Sequence, residues 1–131
     1  MEIIHIMSKH PETVEPGDTL AKASQMMEVG GFRRLAVVKD GAVVGMLTER
    51  DVRQHRGHLD ATRVNAAMSE PVLSVTPHTT VQEAVRMMLK RKVGGMPVID
   101  KGNLVGMVTT TDMLEALLQI VEDYEASHPK H

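Results

Sequence analysis

The sequence predicts an α+β chain of two like halves closed on each other, and three observations predict it. First, the chain repeats once at an offset of 61 residues: Met7 to Arg53 slides onto Met68 to Leu114, with Met7-Ser8 on Met68-Ser69, Pro16 on Pro77, Thr19 on Thr80 and Met26-Met27 on Met87-Met88. Second, the hydrophobic period switches in the same order in each copy, from a short extended segment to helical, then strand-like, then helical again. Third, each copy closes on Gly-x-x-Thr-x-x-Asp, at Gly45 to Asp51 and Gly106 to Asp112. Two units are too few for an open solenoid, which needs about three. A closed, pseudo-symmetric pair is the expectation, each unit running extended segment, helix, strand, strand, helix.

In copy one, Thr13 to Glu15 is the extended segment, and Pro16-Gly17-Asp18-Thr19 is a turn into a helix capped by Asp18 or Thr19. Leu20, Ala23, Met26 and Met27 recur at helical spacing, and Gly30-Gly31 ends the helix. Two apolar runs follow, Leu35 to Val38 and Ala42 to Leu47, and the Asp40-Gly41 pair between them predicts a hairpin. A second helix starts at Thr48. In copy two, Thr80-Val81-Gln82-Glu83 fits a capping box, and Val81, Ala84, Val85, Met88 and Leu89 form the apolar face behind it. The hairpin returns as Met96 to Ile99 and Leu104 to Val108, and Thr109 caps the last helix. That helix outruns its counterpart, with Met113, Leu114, Leu117, Leu118 and Val121 on one face before Ser127-His128-Pro129 ends it. The surplus stripe covers either the protein's own core or another subunit. The predicted boundaries are 1–57 for the first copy, 58–66 for a polar link, 67–126 for the second copy and 127–131 for a tail.

About 60 residues per copy is marginal for independent folding, so the copies are read as interdependent. A net charge of -2 gives no electrostatic footprint for nucleic acid or an anionic membrane. There is no cysteine, no apolar N-terminal run, and no apolar stretch near the roughly 20 residues of a membrane span. A soluble cytoplasmic protein is expected. The 11 methionines, beside one Phe and one Tyr, read mainly as adaptable core filler. His55-Arg56-Gly57-His58 lacks the cysteines or acidic neighbours of a metal site, and none is predicted. No nucleophile stands beside a base, which argues against an enzyme.

The repeated Thr and Asp carry the chemistry. A Thr at a helix start sits beside unpaired N–H groups at the positive end of the dipole, which favours phosphate. An Asp one turn later can accept from two ribose hydroxyls. Thr48 with Asp51, and Thr109 with Asp112, are therefore phosphate and ribose candidates; the plain alternative is a helix cap. Arginine's planar fork of donors suits phosphate, so Arg50, and with it Arg33 and Arg34, would give copy one the greater anion-binding capacity. Copy two has Thr111 in place of Arg50, and Gly94-Gly95 in place of the arginine pair, where a base could approach the backbone.

These residues resemble a known family, the paired cystathionine β-synthase (CBS) domains, or Bateman module. The resemblance rests on Met-Ser and Pro-x-x-Thr at the start of each copy, on Gly95-Met96-Pro97-Val98-Ile99-Asp100, and on the doubled Gly-x-x-Thr-x-x-Asp. It implies two β-α-β-β-α repeats about a pseudo-twofold axis, with two clefts for adenosine-containing ligands: AMP, ADP, ATP or S-adenosylmethionine. It further implies a base pocket at Gly95, Met96, Pro97 and Val75, with Val14 and Leu35 as counterparts in copy one. No obligatory cofactor is implied. A homodimer is implied, and with no effector domain in this chain, the output falls to an unidentified effector protein or the oligomer. The expected function is regulatory ligand sensing; the alternative is a protein-interaction or dimerisation domain with unoccupied clefts.

Overall fold

The structure, a computed structural model, describes residues 1–70 and 72–130. Each copy builds one antiparallel hairpin flanked by helices. Copy one has β2 (Thr13–Val14), α1 (Leu20–Gly30), β3 (Arg34–Lys39), β4 (Ala42–Thr48) and α2 (Glu49–Arg53). Copy two has α4 (Val81–Arg91), β5 (Gly95–Asp100), β6 (Asn103–Thr109) and α5 (Thr110–Ser127). Two elements precede these sets: β1 (Ser8–Lys9), after a 3-10 turn at Ile3–His5, and the short helix α3 (Val64–Ala67).

Local chemistry sets the element ends. The hydroxyls of Thr19 and Thr80 accept the N–H groups of Lys22 and Glu83, so both helices are capped as the sequence suggests. At Thr80 only this half of the expected capping box forms. Both hairpin turns place two successive residues at positive φ, Asp40-Gly41 at 50° and 81° and Lys101-Gly102 at 51° and 82°. That is the twist a two-residue hairpin loop needs. α1 ends on left-handed Gly31, whereas α4 ends on Lys92 in the same left-handed conformation, at a φ of 54°.

The two sheets exchange their first strands. One sheet is ordered β2-β3-β4, with β2 parallel to β3; the other is ordered β1-β6-β5, with β1 from the first copy lying antiparallel to β6 of the second. The symmetric counterpart of the β1–β6 pairing is the bridge from Ser69 to Met46, and that of β2–β3 is the parallel bridge from Val75 to Val98. This reciprocity is a twofold relation between the copies. It also explains two repeated signatures at once. Met7 lies against Gly106 and Met68 against Gly45, where an added Cβ would stand 2.7 Å and 2.5 Å from the methionine sulfur.

The exchange reaches the cores. Ile3 and Ile4 donate to the carbonyls of Thr79 and Pro77, while Leu20 and Val64 donate to those of Thr62 and Asp18. Ile3 is fully buried in the cluster of Val75, Ala84, Met88, Met96, Val98 and Val108; Val64, 61 positions on, is fully buried in that of Val14, Leu20, Leu35 and Leu47. Residues 58–66, expected as a polar link, therefore carry a core residue and the start of α3. The polar composition describes the exposed side of the segment, and Val64 anchors the other.

α5 has no fully buried residue along its 18 positions, and of its stripe Met113 alone packs against the core. Leu114, Leu117, Leu118, Val121 and Tyr124 stay exposed. Among the described residues, no helix is long and apolar enough to cross a membrane.

Ile3→Ala is expected to destabilise the whole chain by about 2–5 kcal/mol, the range for emptying a buried aliphatic site. Urea unfolding followed by circular dichroism should show one transition, because residue 3 belongs to the core of the opposite copy. Lys92→Gly should stabilise by roughly 0.5–1 kcal/mol in the same measurement, since glycine removes the left-handed strain at the end of α4.

Candidate functional site

Each Gly-x-x-Thr-x-x-Asp segment ends in a closed capping box. Thr48 Oγ1 accepts the Asp51 N–H at 3.3 Å and donates to Asp51 Oδ2 at 2.9 Å, while Oδ2 also accepts the Thr48 N–H at 2.8 Å. Thr109 and Asp112 repeat the arrangement at 3.4, 3.2 and 2.7 Å. The next N–H groups, of Glu49 and Thr110, bond to the carbonyls of Arg33 and Gly94, locking each cap to the residue before its own hairpin. The threonine hydroxyl proton is thus occupied by the aspartate. Oδ1 takes no part in the box and is the oxygen each aspartate has to offer a ligand.

One of the two caps opens on a cleft of about 830 Å³ between the copies. Met107, Thr109, Thr111 and Asp112 form one wall, Arg33, Arg34 and Leu35 the opposite one, and Lys9 to Glu12 the third. Arg34 pairs with Thr48 in the β3–β4 register, yet its side chain crosses onto Gly94 and Gly95. A Cβ on Gly95 would meet the Arg34 Cδ at 2.6 Å, so the glycine is what lets the arginine lie there. Burial first, and then the charge of Arg33, push the Arg34 guanidinium below its ordinary pKa. Among the described residues neither arginine side chain has an ion pair or hydrogen bond. A half-buried cation without a counter-ion calls for an anion.

The family model of the CBS domain matches twice, over residues 3–58 and 63–119. The chain belongs to the CBS-domain family. A CBS domain-containing protein of Dictyostelium discoideum is 33% identical, the match covering 89% of this chain and 91% of that one. Among solved structures, the CBS domain pair of protein MJ0100, in complex with 5-methylthioadenosine and S-adenosyl-L-methionine, has a TM-score of 0.83 at 23% identity, covering 89% of this chain and 95% of its own. CBSX2 in complex with AMP has a TM-score of 0.82 at 24% identity, covering 91% and 97%. At these identities the two structures establish the fold.

Within this CBS pair the charge distribution differs from the sequence expectation. Arg33 and Arg34 were expected to serve the cap of their own copy, Thr48 and Asp51; they face Thr109 and Asp112 instead, because twofold closure sets the start of β3 across from the other copy's cap. Arg50 is exposed and is absent from the walls of this cleft. Of the base-pocket candidates, Val14, Leu35, Val75, Met96 and Pro97 are buried, with side chains at most 4% exposed. Gly95 is half-buried. Leu35 alone among them lines the cleft. Lys9 and His10 are wall residues that periodicity does not reveal; the repeated Met-Ser before them was the available signal. Among the described residues no group of three or more His, Asp or Glu side chains is placed to hold a metal.

Thr109→Ala and Thr48→Ala should each cost about 0.5–2 kcal/mol, the usual loss for a helix cap. Chemical denaturation checks this, and Thr109→Ser should restore most of the loss.

Proposed function

We propose that this CBS pair is a regulatory module, without catalytic activity, that binds an adenosine-containing nucleotide in the cleft between its repeats. The observation that carries the reading is the unpaired Arg34, with Arg33 beside it, sharing one cleft with the free oxygen of Asp112. Asp112 Oδ1 accepts the ribose hydroxyls, the two arginines hold phosphate with Thr111, and the base lies along the backbone of Leu35. The second cap, Thr48 and Asp51 with Arg50, faces the Gly95-Met96-Pro97 backbone as the pseudo-symmetric site and lacks the arginine pair. Adenosine ligands in MJ0100 and CBSX2 support the ligand class. Occupancy reports through its differential affinity for two conformations or assemblies; the assembly is a homodimer, and the effector is a separate protein.

The exposed stripe of α5 favours a second reading, a dimerisation domain with unoccupied clefts. Calorimetric titration with AMP, ADP, ATP and S-adenosylmethionine separates the two. Binding is expected for the phosphorylated ligands, weakened about tenfold or more in Arg34→Ala and in Asp112→Ala, as befits loss of a charged hydrogen bond. Undiminished binding in both variants would overturn the site assignment. No heat and no rise in melting temperature with any ligand would favour the second reading.

A further inference from the structure

The segment from β1 to β2 crosses between the sheets in three residues, and its first corner is His10. Lys9 is still paired with Gly106 in one sheet, and Thr13 already with Ala36 in the other. His10 turns the chain at a φ of 55°, in the left-handed region and directly before Pro11. A residue preceding proline is ordinarily extended, and a left-handed corner is one that glycine takes without steric cost. Backbone demand therefore does not select a histidine here. Nor does symmetry, since Glu70-Pro71, 61 positions on, repeats neither Lys9 nor His10. Strained positions of this kind cluster at ligand sites.

The surroundings give the imidazole a use. His10 borders the cleft together with Lys9, Glu12, Arg33, Arg34 and Asp112, and it is exposed. Among the described residues its ring makes no hydrogen bond or ion pair. The other charged groups of the cleft leave an excess of one positive charge, which protonation of His10 raises to two. We propose that His10 is a proton-dependent phosphate ligand of this cleft, so that nucleotide affinity falls as pH rises through the histidine range. The role rests on the nucleotide reading of the cleft. An imidazolium donates from both ring nitrogens, whereas the neutral ring has one donor and one acceptor. A phosphate held by Arg33 and Arg34 thus gains a further cationic partner near pH 6 and loses it by about pH 8. Glu12 and Asp112 attract the charged ring while Lys9, Arg33 and Arg34 repel it, and the bound phosphate offsets that repulsion.

Calorimetric titration of the full chain with ADP, at about pH 6 and about pH 8, tests the proposal in three proteins. One is the wild type. The second, His10→Asn, keeps a side chain that tolerates the left-handed corner, and the third, His10→Lys, keeps its charge throughout this range. Wild type is expected to bind about 3–10-fold more tightly than His10→Asn at the lower pH and equally at the higher, as befits one charged hydrogen bond at an exposed rim. His10→Lys should exceed wild type by a similar factor at the higher pH. The phosphate ionises in the same range, but identically for all three proteins, so the ratios isolate residue 10. Adenosine, which lacks phosphate, should show no such difference. Circular dichroism melts establish that each variant folds, and either comparison decides the matter alone. Ratios that do not change with pH, or a change that adenosine shares, would overturn the role of His10 and leave the nucleotide reading in place. No binding of ADP to any of the three proteins at either pH overturns both.

Discussion

Ile3 and Val64 are each buried in the opposite half of the molecule, and the other features of the structure depend on that exchange. A half of about 60 residues has too little interior to be secure alone. Here each half completes its core with a side chain from the other's leading segment, and completes its sheet in the same way. The segment from β1 to β2 must then cross from one sheet to the other. The cleft lies beneath that crossing, which is why its walls come from both copies.

The Thr–Asp motif forms a cap, and the proposed ligand role is compatible with the same geometry. The cap uses the threonine hydroxyl and one carboxylate oxygen, which fixes the aspartate's position and leaves its second oxygen outside the box. A positioned acceptor loses less freedom on meeting a ligand than a mobile one. The asymmetry between the clefts rests on an equally local device. Arg34 can lie across the axis because position 95 is glycine, and the reverse arrangement is absent because Gly95 has no side chain to cross. One difference at symmetry-related positions, Arg34 against Gly95, thus places a cation in this cleft.

Much of the fold was legible because the signals were local. The Asp40-Gly41 turn, the threonine caps and the end of α5 near Ser127 are decided by residues within a few positions of each other, and the 61-residue offset supplied the pairing of halves. What was hidden required knowing which element meets which. Periodicity cannot say that a two-residue strand at Ser8–Lys9 joins the far sheet, that Val64 leaves a polar segment to fill a core, or that Arg34 turns from its own cap toward the other. The base-pocket residues illustrate the same limit. Val14, Val75 and Met96 fall at positions the resemblance marks for a ligand, yet packing buries them in the two cores and none of them lines the cleft.

The exchanged leader also fixes an order of assembly. Residues 1–7 are made before residues 75 to 108, which build the core that receives Ile3. That segment waits, unplaced, until those residues have been made, and the apolar Ile3, Ile4 and Ile6 wait with it. Copy one meets the mirror-image situation sooner, closing when residue 64 appears. The halves therefore mature in sequence, and the later step ties the segment from Ile3 to Lys9 to strands β5 and β6, a long-range closure of the kind that slows folding.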